Sequence, residues 1–393
     1  MHHSPSCEQH PRAHALRALA LTAVLASSPL AVEAAAFRVG NGGSPPCTHA
    51  DLAAAVAAAA ANPGNDQIYV TRADPPSLAA TVDINDQDVE IIGGFADCAA
   101  ATPSGRTTVT VDADPGFHIH GSVVTRNVKL RGLWIDASAG GRSLRIEDQS
   151  YVEVRDSELI GGFVSGDGGQ VWMSGSNTLW LRGRSKLRGA GASGDGGGIH
   201  CSAGGVVIVD EASSVRANSA TNGGGIYADN CSVTAYGYPP GDEAILDNSA
   251  SADGGGIYAA NGSTIQLIGQ LGLPAVMLGN SARLGGALFV TDDTTLALGH
   301  NALFIDNNAV LAGGGIYLRG GATFRLDSST SRCVLGPPCS SFINNFASAG
   351  GSGTGGAIAV TTGGHALVFE TLFNENSADH TGTIAWVGIR DKG

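Results

Sequence analysis

The chain has 393 residues, 58 of them glycine, with 43% hydrophobic and 15% charged residues. That is enough apolar material for a large core, but the glycine excess favours many tight turns over long helices. The formal net charge of -13 makes a surface that repels phosphate backbones, so nucleic acid is excluded from the expected ligands.

At the N-terminus, a segment carrying His2, His3, Arg12 and Arg17 leads into the apolar run ALALTAVLA (18–26) and then the small-residue exit VEAAA, which ends at Ala36. This order reads as a secretory leader over residues 1–36, cleaved after Ala34 or Ala36. The apolar run is too short to span a membrane, and Cys7 precedes it, so no lipid anchor is expected. The mature chain is expected to be secreted or held at the outer cell surface, with no transmembrane segment.

Six cysteines remain after export: Cys47, Cys98, Cys201, Cys231, Cys333 and Cys339. An even count in an oxidising compartment suggests disulfides. Neighbour spacing favours Cys47 with Cys98, Cys201 with Cys231, and Cys333 with Cys339, among the fifteen connectivities that six cysteines allow. Free buried thiols are the alternative. With no CxxC pair and no matching histidine spacing, neither a metal nor a cofactor is expected.

Residues 37–66 read as an N-terminal cap. The Ala-rich part of CTHADLAAAVAAAAANPGNDQIYV (47–70) forms a short helix ahead of the first strand, and Asn62, Pro63 and Gly64 stop it. Such a helix covers the open edge of a first coil. Over residues 67–167, segments such as QDVEIIGGF, TTVTVDA, NVKLRGLWIDA and SYVEVRDSELIGG read as irregular coils of one continuous domain.

From residue 168 to 393 a phrase recurs: GGQVW at Gly168, GGGIH at Gly196, GGGIY at Gly223 and Gly254, GGALF at Gly285, GGGIY at Gly313, GGAIA at Gly355, and a worn TGTIA at Thr381. The steps are 28, 27, 31, 31, 28, 42 and 26 residues. A second column, NSA or its variants, runs ahead of it at Asn218, Asn248, Asn280, Asn307, Asn345 and Asn376. A period near thirty demands stacking, because one unit cannot bury its own apolar face. The apolar runs within a unit are short and alternating, which gives three short strands per circuit. The expected fold is all-β: a single-stranded right-handed parallel β-helix, a solenoid with a short N-terminal capping helix, whose coils stack about 4.8 Å apart. In it, Gly223, Gly254, Gly285 and Gly313 serve turns, and the asparagines stack their amides into a ladder.

The GG[AI] and N.A signatures, in this order from Gly168 onward, resemble the polymorphic outer membrane protein repeat. That resemblance implies a right-handed β-helical passenger of the kind found in surface-displayed adhesins and autotransporters. This chain departs from it in ending at GIRDKG without a C-terminal β-barrel.

Catalytic constellations are sparse. Asp292 and Asp293 read as a solvated turn, Asp136 in LWIDAS as a turn or strand end, and His118 and His120 in FHIHG as a same-face pair with no identifiable third ligand. The residue after each recurring aliphatic position is more suggestive: Trp172, His200, Tyr227, Tyr258, Phe289 and Tyr317. Stacked coils would align these rings in a column outside the aliphatic core, either as a candidate ligand-binding strip for sugar rings or a partner surface, or as rings stacked on one another under a covering loop. The expected function is a non-enzymatic secreted or surface protein presenting an extended face to a polysaccharide or host-surface molecule. A polysaccharide lyase or glycoside hydrolase on this scaffold, and a structural component of an end-to-end surface assembly, are the alternatives.

Overall fold

The computed structural model describes residues 35–40, 46–62, 64–121, 126–238, 244–270, 273–292, 295–328, 339–348, 350–361, 363–380, 382 and 384–385. The expected leader lies outside them except for Ala35 and Ala36, and so does the terminal GIRDKG. The described residues wind into a right-handed parallel β-solenoid of four sheets, with 12, 11, 11 and 8 strands. Each regular coil contributes one strand to every sheet. In one coil these are Ile199–Ser202, Val206–Val209, Ser214–Arg216 and Ser219–Ala220, called here the first, second, third and fourth sheets, and each pairs in parallel with its counterpart one coil on.

The fourth sheet was not expected from sequence. Its strand in this coil is the two-residue Ser-Ala of an NSA phrase, too short to show any alternation. Among the described residues it starts at Phe163–Val164 and the earlier coils show no strand of it.

Alternation in the first sheet decides the core. Val171, Ile199, Ile226, Ile257, Leu288 and Ile316 are fully buried and stand in register along the axis. Each such side chain contributes about 1.5–3 kcal/mol of burial. The glycines let the coils come close. Gly223 sits at φ +58, where a Cβ would lie 2.4 Å from the Ile226 carbonyl oxygen, and at Gly225 a Cβ would meet the Gly256 carbonyl oxygen of the next coil at 2.6 Å. Gly254, Gly285 and Gly313 hold the same left-handed conformation.

The asparagines occupy the corner before the fourth sheet. From Asn218 through Asn248, Asn280, Asn307 and Asn345 to Asn376, each Nδ2–H donates to the Oδ1 of the next at 2.8–3.1 Å. The same Oδ1 atoms accept the preceding asparagine's backbone N–H. The remaining amide proton reaches a main-chain carbonyl, as from Asn280 to Ile245 at 3.0 Å. Five of the six are at most 1% exposed, and this bonding is what allows an amide to be buried without penalty.

The helix, Leu52–Ala60, is N-capped by Asp51, whose carboxylate accepts from the Ala54 N–H at 2.7 Å. Leu52, Ala55, Val56 and Ala59 face inward and join the main core. One detail differs from expectation: the strand Ala36–Val39 precedes the helix and pairs in parallel with Asn65–Thr71, so the helix is inserted between the first two strands of the second sheet. Disulfides join Cys47 to Cys98 and Cys201 to Cys231, the latter linking adjacent coils. Cys339 is disulfide-bonded, while its expected partner Cys333 lies outside the described residues. Among the described residues no helix is long and apolar enough to cross a membrane.

Candidate functional site

Since the aliphatic column of the first sheet points into the core, the alternate residues of the same strands point outward. In register they run Asp83, His118, Arg145, Trp172, His200, Tyr227, Tyr258, Phe289, Tyr317 and Ala359. The six rings named from sequence therefore lie on one line, and His118 belongs to the same line at its N-terminal end.

From Trp172 to Tyr317, successive ring centroids are 6.2, 5.2, 5.0, 4.9 and 5.4 Å apart, and the planes differ by at most 11°. Arg145 lies 5.0 Å over Trp172 from the preceding coil. Each ring thus spends its faces on its neighbours, so a ligand approaching from the side meets ring edges and hydroxyls. A sugar laid flat on a ring face, the usual stacking mode, has no face to use in the middle of the column.

The column divides along its length. At the C-terminal end Phe289 is fully buried, and Tyr258 and Tyr317 pack with it against Leu284, Ala312 and Ala359. Thr361 donates to the Tyr317 hydroxyl at 3.0 Å. Leu284 and Ala312 occupy the position immediately before the repeated glycine. In the earlier coils that position holds Asp167, Asp195, Asn222 and Asp253, which are themselves laddered. Asp167 accepts from the Asp195 N–H at 2.8 Å, Asp195 from Asn222 Nδ2 at 2.9 Å, and Asn222 from the Asp253 N–H at 3.2 Å. One half of the ring column is sealed by apolar side chains, and the other is bordered by carboxylates.

His200 sits at the acidic half, with Nε2 3.9 Å from an Asp167 oxygen and a side chain only 12% exposed. Its buried Nδ1 has no hydrogen-bond partner among the described residues. Burial pushes its pKa below the ordinary imidazole value, against the pull of Asp167, Asp195 and Asp229. Burial likewise pushes the Tyr227 and Tyr258 hydroxyls up, and nearby aspartates reinforce this at Tyr227, so both remain neutral donors. Asp253 is raised by burial in spite of its 3.1 Å ion pair with Arg283.

The N-terminal end of the column is charged. His118 and His120 stack at 4.3 Å, and Asp83 Oδ1 lies 3.3 Å from His118 Nδ1 and 2.9 Å from His120 Nε2. On the next coil Glu147 meets His118 Nε2 at 2.5 Å and accepts two bonds from Arg145. Burial raises the Glu147 pKa, but the hydrogen bonds from Arg145 and His118 outweigh it and hold the carboxyl below its usual value.

Asp136 lies near the end of the strand Leu133–Ala137 and accepts from the N–H of Ser138 in the following turn at 3.0 Å. Asp292 is in the left-handed region and accepts from Thr295, while Asp293 lies outside the described residues. On the outer face of the second sheet, a cavity of about 360 Å³ lined by Gln266, Leu298, His300, Arg325 and Asp327 was not anticipated. Nor were Asp167, Asp195 and Asp229, although the DGG at three of the repeats, which includes Asp167 and Asp195, was a readable sign. Asp83, Arg145 and Glu147 carry no such sign, because their coils lack the glycine marks that would set them in register with His118.

No family model matches the chain, and no curated protein matches it. The resemblance to the polymorphic outer membrane protein repeat therefore rests on its motifs alone. Among solved structures the chain is similar to the catalytic unit of a thermostable GH87 alpha-1,3-glucanase from Streptomyces thermodiastaticus strain HF3-3, with 13% identity, a TM-score of 0.27 and 84% of this chain covered; the chain spans 65% of the length of that structure.

Proposed function

We propose that this protein is an extracellular or surface-displayed binding scaffold, without turnover, whose ligand runs along the acidic half of the ring column from Trp172 to Tyr258. In this reading residues 1–36 are a leader, 37–66 a cap, 67–167 the irregular coils and 168–393 the repeats of an adhesin-like passenger. The observation that carries it is periodicity: ring edges recur every 5.0–5.2 Å from His200 through Tyr227 to Tyr258, bordered at the same coil spacing by Asp167, Asp195, Asn222 and Asp253. A periodic face suits a periodic polymer, because each added repeat of the ligand binds without a new loss of translational freedom. Neutral tyrosine hydroxyls and carboxylates together suit a hydroxyl-rich, uncharged polysaccharide and repel a polyuronate. The disulfide between Cys201 and Cys231 supports an oxidising compartment.

Affinity electrophoresis through gels carrying neutral or uronic-acid polysaccharides tests this. Retardation by a neutral polymer is expected, and the double substitution Tyr227→Phe, Tyr258→Phe should weaken it at least tenfold, since the stack is kept and only the hydroxyls are lost. Equal retardation of the double variant would remove the column from the site. One observation favours the second reading, a lyase or hydrolase: Asp167, Asp195 and Asp229 all act on His200. Release of reducing ends or unsaturated products from any of these polymers would replace the binding reading with that one.

A further inference from the structure

We propose that Asp83, His118 and His120 form a binding site for a divalent transition metal, zinc in particular, at the N-terminal end of the outward column. The strands Val82–Asn85 and Phe117–His120 are adjacent in the first sheet, with Asp83 opposite His118 and Asn85 opposite His120. The spacing of two along a strand puts both imidazoles on the outer face, and the neighbouring coil brings the third ligand that the linear sequence does not reveal. One ligand atom from each of the three residues falls within 4.8 Å of the others. Ligands at 2.0–2.1 Å in a tetrahedron around zinc stand about 3.3 Å apart, against 3.3 Å for Asp83 to His118 and 2.9 Å for Asp83 to His120. The first pair already has that separation, the second must open slightly, and the two imidazole nitrogens lie within 4.8 Å of each other.

The surrounding residues support the same assignment. His118 presents Nδ1 toward Asp83 and Nε2 toward Glu147, and Glu147 is clamped by Arg145 at 2.9 and 3.0 Å. A proton on Nε2, donated to Glu147, leaves the Nδ1 lone pair free toward the position a metal would take. This carboxylate–histidine–metal relay is how protein sites orient a ligating imidazole. Two imidazoles and one carboxylate suit zinc better than magnesium or calcium, which prefer all-oxygen shells. The Asp83 side chain is 59% exposed, and those of His118 and His120 are 26% and 24% exposed. A fourth coordination position therefore opens to solvent and can take water or a ligand oxygen.

Titration calorimetry of the chelator-treated full chain with zinc chloride tests the site, with cobalt absorption spectra reporting coordination. The proposal expects one saturable zinc, no comparable magnesium binding, and at least a tenfold loss of affinity in both His120→Ala and Asp83→Asn. Glu147→Gln, which removes no ligand, should weaken zinc by about 10- to 100-fold at unchanged stoichiometry. Melting curves without zinc check that each variant is folded, and the exposed Asp83→Asn serves if His120→Ala is not. Absence of saturable zinc binding overturns the proposal. So does wild-type affinity in the folded ligand variants, which would place the metal on other histidines such as His2 and His3. Neither result bears on polysaccharide binding, which the column tests separately.

Discussion

Single residues carry two kinds of cost in this fold. The residue before each ladder asparagine is left-handed, yet only Gly279 among the six is glycine; Ala217, Asp247, Asp306, Asn344 and Glu375 sit at φ between +51 and +55 or close to it. Ala217 is exposed and has no side-chain hydrogen bond to lose. Ala217→Gly should therefore stabilise the protein by about 0.5–1 kcal/mol, the left-handed penalty less the glycine entropy, and thermal denaturation would show a raised midpoint. His200 carries the second cost. With its folded pKa held below the ordinary 6.5, it binds fewer protons than in the unfolded chain, so stability falls as pH drops through 6.5 and the loss is complete below the folded value. His200→Phe keeps the stack and removes the titration. Melts at about pH 8 and about pH 5 should show the gap between variant and wild type widening in favour of the variant on acidification; a constant gap would mean that His200 does not titrate in that window.

At the scale of elements, the ladder and the helix cap follow the same logic of satisfying buried groups. Asn280→Ala removes an acceptor used by both the backbone and the side chain of Asn248, and a donor to Asn307. Leaving such groups buried and unpaired costs about 1–3 kcal/mol each, so a loss of about 3–5 kcal/mol is expected. Asn376→Ala, at the 9%-exposed end of the ladder, should cost somewhat less, because water can reach part of what it leaves unpaired. Asn280→Asp has the right shape but cannot donate to Asn307 and should be at least as harmful as alanine, which separates hydrogen bonding from volume. Urea denaturation of the three variants makes the comparison. The asparagine column was legible in the sequence because the same corner recurs in six successive coils. The two-residue fourth sheet beside it was not, because two residues contain no period.

At the scale of the molecule, a solenoid is held by contacts between neighbouring coils, so its ends are its weak points. Leu52 is 1% exposed and plugs the first coil. Leu52→Asp places an unpaired charge against that core and uncovers strand edges. Light scattering should then show self-association together with a lowered melting temperature, whereas a stable monomer would show that the helix is dispensable as a cap. The stacked fold, the inward aliphatic column and the near-thirty period were readable from one chain, because stacking repeats the same local demand at each coil: glycine where backbones crowd, asparagine where a corner must be satisfied, Ile or Leu where a strand faces in. Tertiary structure alone decided which outward residues meet. It sealed Phe289 under Leu284 and Ala312, left Trp172, His200 and Tyr227 beside Asp167 and Asp195, and carried Asp83 and Glu147 to either side of His118. Those encounters depend on the register between coils that differ in length, and a register is a property of the pairing between strands, not of either strand's own sequence.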